Sequence, residues 1–292
     1  MGPAEAQLSP AADGLDAAER AALEARGLRL DGGRRAVTVR VGDTLAGTAI
    51  WQPLAFESAE LGIAAARIET IEAWQGAAPV LEDLAARAVS DMKDAGVALA
   101  TCRLPEARLG AINALEAVGF RMVECLLTLA RPLDGAPKMP AGIGLAETDE
   151  GEDCARLAGR CFTADRFHID PRIANSAADR LKESWIRNSA AGRADAMLVA
   201  RQDGRVVGFN ACMRNGPTAV IDLIGVAPEA QGRGHGRALV EGALAHYAAS
   251  GAEEMVVGTQ SGNIASLALY QSCGFFIRSS QFTLHAHLGE NR

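Results

Sequence analysis

The chain has no Cys-x-x-Cys pair; its six cysteines (Cys102, Cys125, Cys154, Cys161, Cys212 and Cys273) stand singly along 292 residues. That scatter argues against a zinc knuckle or a disulfide framework and leads us to expect a reducing, cytoplasmic setting. Nowhere does an apolar run approach the roughly 18 residues that cross a bilayer, so no membrane span is expected. Residues 1–12 have neither a charged n-region nor an apolar h-region, so no secretory signal is expected. Basic charge is not in excess either: 29 Lys and Arg against 36 Asp and Glu leave a net charge of -7. Nucleic acid is therefore not expected as a partner, and substrate phosphates would have to be met by local arginines or helix ends. What the chain does have is apolar residues, 49% against 22% charged. That balance suits a globular protein with a real core, and the length suits two domains.

Periodicity predicts strands alternating with helices. Residues 1–30 read as a loosely held extension with a helix near 17–25. Strands are expected over 37–51 and 63–74, a helix over 79–95, a strand over 98–103, a helix over 107–118 and a strand over 120–133. Residues 134–142, dense in Pro and Gly, read as a linker. Beyond it come a strand at 144–147, helices at 153–161 and 177–189, and strands at 196–201, 206–213 and 219–226. The expected domains are thus 31–133 and 143–292, each α/β (α+β) with a mixed, mostly antiparallel sheet.

The most informative segment is Gln231-Gly232-Arg233-Gly234-His235-Gly236, between the strand at 219–226 and an amphipathic helix over 237–249. Three glycines let the backbone turn tightly and bring bare N–H groups to the helix start, a site suited to phosphate. A dinucleotide fingerprint is excluded, since Arg237 or Leu239 stands where it needs a small residue. A Walker loop is excluded by the absence of Gly-Lys-Ser/Thr. A plain glycine-rich turn joining strand to helix stays open on the loop alone.

The next segment is a short strand at 255–259, then a helix carrying Asn263, Leu267 and Tyr270 on one face and stopping at Gly274-Phe275. Together, Gln231-x-x-Gly234-x-Gly236 and Asn263-x-x-Ser266-x-x-Leu269-Tyr270-x-x-x-Gly274-Phe275 resemble the core of the Gcn5-related N-acetyltransferases. The resemblance implies acetyl-CoA as acyl donor and no metal. The backbone of Leu223, Ile224, Gly225 and Val226 would receive pantetheine and oxyanion. The amides of Gly232, Arg233, Gly234, His235, Gly236 and Arg237, with Gln231, would hold the pyrophosphate. Asn263 would hold the pantetheine arm, and Tyr270 would protonate the departing thiolate.

The first half carries an echo of this. Gly119-Phe120 repeats Gly274-Phe275, and the same offset puts Leu115 at the place of Tyr270 and Arg108 at that of Asn263. Gln75-Gly76-Ala77-Ala78-Pro79 replaces the glycine loop. We therefore expect two tandem acetyltransferase-like domains, the first truncated and non-catalytic.

Acceptor contacts are expected between the first two helices of the second domain and on neighbouring strands. The candidates are Arg166, Phe167, His168, Asp170, Trp185, Asn188, Asn210, Asp222, Gln260 and His285, with Arg172, Arg187 and Arg193 favouring an anionic acceptor. Arg166-Phe167-His168-x-Asp170-Pro171, Trp185-Ile186-x-Asn188-Ser189, Thr259-Gln260-x-Gly262-Asn263 and Phe282-x-x-His285 look like the dTDP-fucosamine acetyltransferase family. This implies a nucleotide-linked 4-amino-4,6-dideoxyhexose as acceptor. Peptide N-termini, aminoglycosides and a lapsed CoA-binding module are the alternatives. Asp222 and His168 are candidate bases, beside a water chain. His285 and His287 share a strand face but read as lining residues rather than metal ligands. A homodimer is compatible with the sequence.

Overall fold

The structure, a computed structural model, describes residues 15–135 and 137–289. It forms two compact units, Met1–Val123 with Gln281–Arg292, and Glu124–Ser280. The boundary thus falls inside two strands and not at the Pro/Gly-rich stretch 134–142, which connects two strands of the second unit and whose Ala136 lies outside the described residues. Strand pairing, which no turn residue advertises, sets the division.

In the first unit, residues 15–30 are not loose as expected; residues 1–14 lie outside the described residues. Helix α1 (Ala17–Glu24) has a complete capping box between Asp16 and Glu19, and its Leu23, with Leu15, is buried against Ala36 and Ile50. The stretch expected as one strand over 37–51 is a hairpin of β1 (Arg35–Val41) and β2 (Thr44–Pro53). It turns at Gly42, whose φ of 58° suits glycine, while the apolar pattern runs on through the turn and hides it. A short helix that the periodicity did not announce, α2 (Ala55–Leu61), follows.

Then come β3 (Ala65–Ala73), α3 (Ala77–Asp94), β4 (Leu99–Pro105) and α4 (Leu109–Ala117). β2 pairs antiparallel with β3, and β3 pairs parallel with β4. The end of β11 (Phe276–His287) closes this unit by pairing antiparallel with β4. Leu84, Ala88 and Met92 of α3 pack with Trp51, Ile68 and Ile71 of the strands.

The second unit orders its strands as β5 (Arg121–Pro132), β10 (Glu254–Gln260), β9 (Thr218–Val226), β8 (Arg205–Asn215), β7 (Ala196–Gln202) and β6 (Ile143–Leu145). Only β9 and β10 run parallel. Alternate residues of β7 face opposite cores, as strand geometry requires. Leu198 and Ala200 pack with α7 (His235–Ala249) and α8 (Ile264–Ser272). Met197 and Val199 pack with α5 (Gly151–Cys161) and α6 (Asn175–Asn188). Each unit is therefore the expected α/β arrangement with a mixed sheet. Among the described residues no helix is long and apolar enough to cross a membrane.

Candidate functional site

β9 and β10 pair only from Thr218/Glu254 to Ile221/Val257, although both strands continue. The cause lies on the other edge of β9. Its register with β8 jumps between Cys212↔Ile221 and Ala211↔Leu223, making Asp222 the extra residue of a bulge. A bulge bends and twists its strand. From Asp222 to Val226 the strand has no partner on β10, so a row of backbone groups faces open space. A side chain at Gly225 would be tight, its Cβ 3.0 Å from Phe209 and 3.1 Å from the Cys161 sulfur.

After a turn at Pro228–Ala230, the glycine loop delivers the chain into α7. Gly232 and Gly234 have φ of 74° and 87°, and Gly234 is the N-cap. The helix therefore begins at His235, two residues earlier than the sequence predicts. His235, Gly236 and Arg237 are its first three residues, and their N–H groups point away from the helix without intrahelical acceptors. Together with the open edge of β9 they form a wall of donors.

The opposite wall is α8. Asn263 caps it, accepting from the Ser266 N–H at 3.1 Å, so its amide nitrogen is left for other contacts. Two turns on, Tyr270 is buried with its ring 5.7 Å from Phe275. Burial pushes its phenol well above the ordinary value, which keeps the proton on oxygen.

These walls enclose a cavity of about 530 Å³. Leu223, Ile224, Gly225, Val226, Gln231, Gly232, Gly234, His235, Gly236, Asn263 and Tyr270 all line it. Arg233 and Arg237 are exposed beside it, Arg237 paired with Glu241 at 2.8 Å. Gln231 spends its side-chain amide on the Val226 carbonyl at 3.2 Å, tying the loop to the strand. Cys161 also lines the cavity, but burial lifts its thiol to about 12, so it is not a nucleophile at neutral pH.

The acceptor side differs from expectation. Of the ten candidates only Gln260 lines the cavity; its side chain donates to Glu124 at 3.1 Å. Asn210 is fully buried, donating to the Leu239 carbonyl at 3.2 Å, and braces α7. Asp222 accepts through one oxygen from Trp185 at 2.9 Å and from Arg193 at 2.7 Å, and neither Asp222 nor Trp185 lines the cavity. Asp170 accepts from the Arg172 N–H at 3.0 Å and shapes its own turn. Asn188 is exposed at the end of α6, and Phe167 is buried under the Arg166 guanidinium, 4.5 Å from the ring centroid. Arg187 is paired with Glu152 at 3.0 Å. Arg193 is likewise paired, with Asp222 at 2.7 Å. His285 belongs to the first unit, buried in β11 opposite Thr101.

Two residues outside those ten candidates line the cavity instead, Asp165 and Lys182. Lys182 lies 3.3 Å from Asp165, which also accepts from His168 Nδ1 at 2.7 Å; His168 Nε2 meets Asp179 at 3.1 Å. Burial opposes the Asp165 charge, but the His168 hydrogen bond and the Lys182 charge outweigh it and hold the carboxyl well below its usual range. Burial likewise opposes the imidazolium, yet Asp165 and Asp179 carry the His168 pKa above its ordinary value. Both ring nitrogens of His168 are thus engaged by carboxylates. The only sequence signal was a charged residue, Lys182, directly after the core residue Leu181 on an amphipathic helix.

Residues 153–275 match the model of the Acetyltransferase (GNAT) family. The chain is similar to a spore coat polysaccharide biosynthesis protein of Bacillus subtilis, at 27% identity over 64% of this chain and 66% of that protein. It is similar to a dTDP-fucosamine acetyltransferase of Escherichia coli O6:H1 at 28% identity, over 63% of this chain and 79% of that one. A mycothiol acetyltransferase of Thermobispora bispora is 31% identical over 54% of this chain and 57% of its own length. The chain thus spans less than two thirds of the length of two of these relatives, 66% and 57%.

Among solved structures, a GCN5-related N-acetyltransferase from Sphaerobacter thermophilus aligns with a TM-score of 0.65 at 17% identity, covering 94% of this chain and 87% of that one. A tandem GNAT protein from the clavulanic acid biosynthesis pathway aligns with a TM-score of 0.57 at 15% identity, covering 89% and 84%. These two likenesses establish the fold. Parted strands, glycine loop and capped tyrosine helix all fall within residues 153–275, the segment that matches the Acetyltransferase (GNAT) family model.

Proposed function

We propose that the protein transfers the acetyl group of acetyl-CoA directly to the amine of a small-molecule acceptor. The observation that carries this reading is the parting of β9 from β10 beside the donor-rich start of α7, with Tyr270 on the same cavity. Acetyl-CoA supplies the activated thioester. The N–H groups of Gly232 to Arg237 suit its pyrophosphate, and the open edge of Leu223 to Val226 suits both the pantetheine amides and an oxyanion. Asn263 offers its amide nitrogen to the same arm.

In the transfer, a neutral acceptor nitrogen forms its bond to the carbonyl carbon as the carbon–sulfur bond breaks. Tyr270 gives its proton to sulfur. Its raised pKa makes that donation uphill in isolation, but the same dry surroundings destabilise a thiolate and so offset the difference. The amine proton leaves through water, since neither Asp222 nor His168 lines the cavity. No side-chain nucleophile takes part, in keeping with the protonated Cys161.

For the acceptor, the polysaccharide and dTDP-fucosamine relatives favour the 4-amino group of a nucleotide-linked 4-amino-4,6-dideoxyhexose. The second reading, an acceptor of the mycothiol class, rests on the relative at 31% identity. Thiol release from acetyl-CoA, measured with dTDP-, UDP- and GDP-linked 4-amino sugars and with a mycothiol precursor amine, separates them. Turnover with a 4-amino sugar nucleotide supports the first reading. Turnover with only the mycothiol-type amine overturns it.

A further inference from the structure

Lys182 presents its side-chain nitrogen at the cavity wall, where burial lowers its pKa and Asp165 opposes that shift. The residue is 6% exposed. Its Nζ lies 5.2 Å from the Phe162 ring, 5.8 Å from Phe167 and 5.7 Å from Trp185. Rings attract a cation but offer no lone pair to an N–H. Asp165, at 3.3 Å, accepts one of the three ammonium donors. That carboxylate is itself crowded, taking the Phe167 N–H at 3.0 Å and His168 at 2.7 Å. Lys182 lines the same cavity as Tyr270.

The geometry says what the site still wants. Asp165 already faces Lys182 at 3.3 Å, so a carboxylate is in place. A hydroxyl oxygen of the ligand would accept a further donor beside this pair. A buried charged donor left without an acceptor is costly, so such a site rejects analogues that lack the matching oxygen.

Resting on the acetyl-transfer reading above, we propose that Lys182 donates to a hydroxyl on the carbon next to the reacting amine, so that the enzyme selects vicinal amino alcohols. A 4-amino-4,6-dideoxyhexose meets that requirement through its C3 hydroxyl. Lys182 is then a specificity-determining residue, and Asp165 and His168 are positioning residues that fix its ammonium.

The test compares trans-2-aminocyclohexanol with cyclohexylamine as small acceptors in the acetyl-CoA thiol-release assay. The wild type is expected to favour the amino alcohol about tenfold or more in kcat/KM, mostly through KM, as for a hydrogen bond to a charged group. Lys182→Met should bring the ratio to about one. Asp165→Asn/Lys182→Met removes both charges, keeps the region neutral and should give the same ratio, with acetyl-CoA affinity unchanged as the sign of an intact fold. Equal kcat/KM for the two amines in the wild type, or a preference that survives in both variants, overturns the proposal. Preference for the amino alcohol without turnover of any amino-sugar nucleotide would overturn the acceptor class proposed above and leave the role of Lys182 standing.

Discussion

The two units share one strand plan and treat it differently. In each, a parallel pair holds for four residues, Ala65 to Ile68 on β3 and Thr218 to Ile221 on β9. In each, the next residue is an acidic bulge, Glu69 or Asp222, bound to an arginine: Arg34 at 2.5 Å or Arg193 at 2.7 Å. Beyond the bulge both strands part from their parallel neighbours. In the first unit the gap is occupied by Arg108, the residue at the place of Asn263, which donates to the Ile71 carbonyl at 2.7 Å.

The turn into the helix differs as well. Between β3 and α3 the Trp74 and Gln75 N–H groups are both spent on the Ala46 carbonyl, at 2.7 and 3.2 Å. Pro79, the third residue of α3, has no N–H to offer. Leu115 stands buried where the second unit has Tyr270. The turn thus presents donors in one unit, while its counterpart spends those of Trp74 and Gln75 and lacks one at Pro79. A site of this kind is made by what is left unpaired rather than by the fold.

The largest expected effect belongs to Tyr270. Tyr270→Phe should lower kcat about 100-fold or more with unchanged acetyl-CoA affinity, read by steady-state kinetics beside equilibrium binding. Next comes the loop. Gly234→Val forces a β-branched residue to φ 87°, and acetyl-CoA affinity should fall about tenfold or more, while turnover recovers at saturating donor.

Arg108→Ala should cost about 1 kcal/mol of stability by denaturant titration and leave kcat unchanged; a drop in kcat would mean that the first unit takes part in turnover. The smallest effect concerns His168. Because its folded pKa is raised, its contribution is fully present below the unfolded value, near 6.5, and is lost as pH climbs through the folded value. The Tm gap between wild type and His168→Gln should therefore be widest below pH 6.5 and close at higher pH.

The donor side was legible in the sequence because its logic is local: glycines at a strand-to-helix turn, and a cap and tyrosine seven residues apart. Even there the helix start was read two residues late, since His235 and Gly236 are weak helix formers held by the cap geometry of Gly234. The acceptor side was not legible. Asp165 and Lys182 are 17 residues apart on a loop and a helix, and a lysine on a polar helix reads as solvated until the rings around it are placed. Asp222 and Asn210 are polar residues in strands, and sequence could not tell that their partners were Arg193, Trp185 and the Leu239 carbonyl. Hairpin and unit boundary were missed for a related reason, since the apolar pattern resumes after Gly42 and no Gly or Pro marks the boundary inside β5 or β11.

The measurement that bears most directly on the contrast between the units is a calorimetric titration of the chain with acetyl-CoA. It should be made on the wild type, on Gly234→Val and on Gly76→Val, which strains the corresponding cap of α3 at φ 62°. One acetyl-CoA per chain is expected, with affinity weakened by Gly234→Val and untouched by Gly76→Val. Two per chain, or loss of binding in Gly76→Val with the loop at 231–236 intact, would contradict the account.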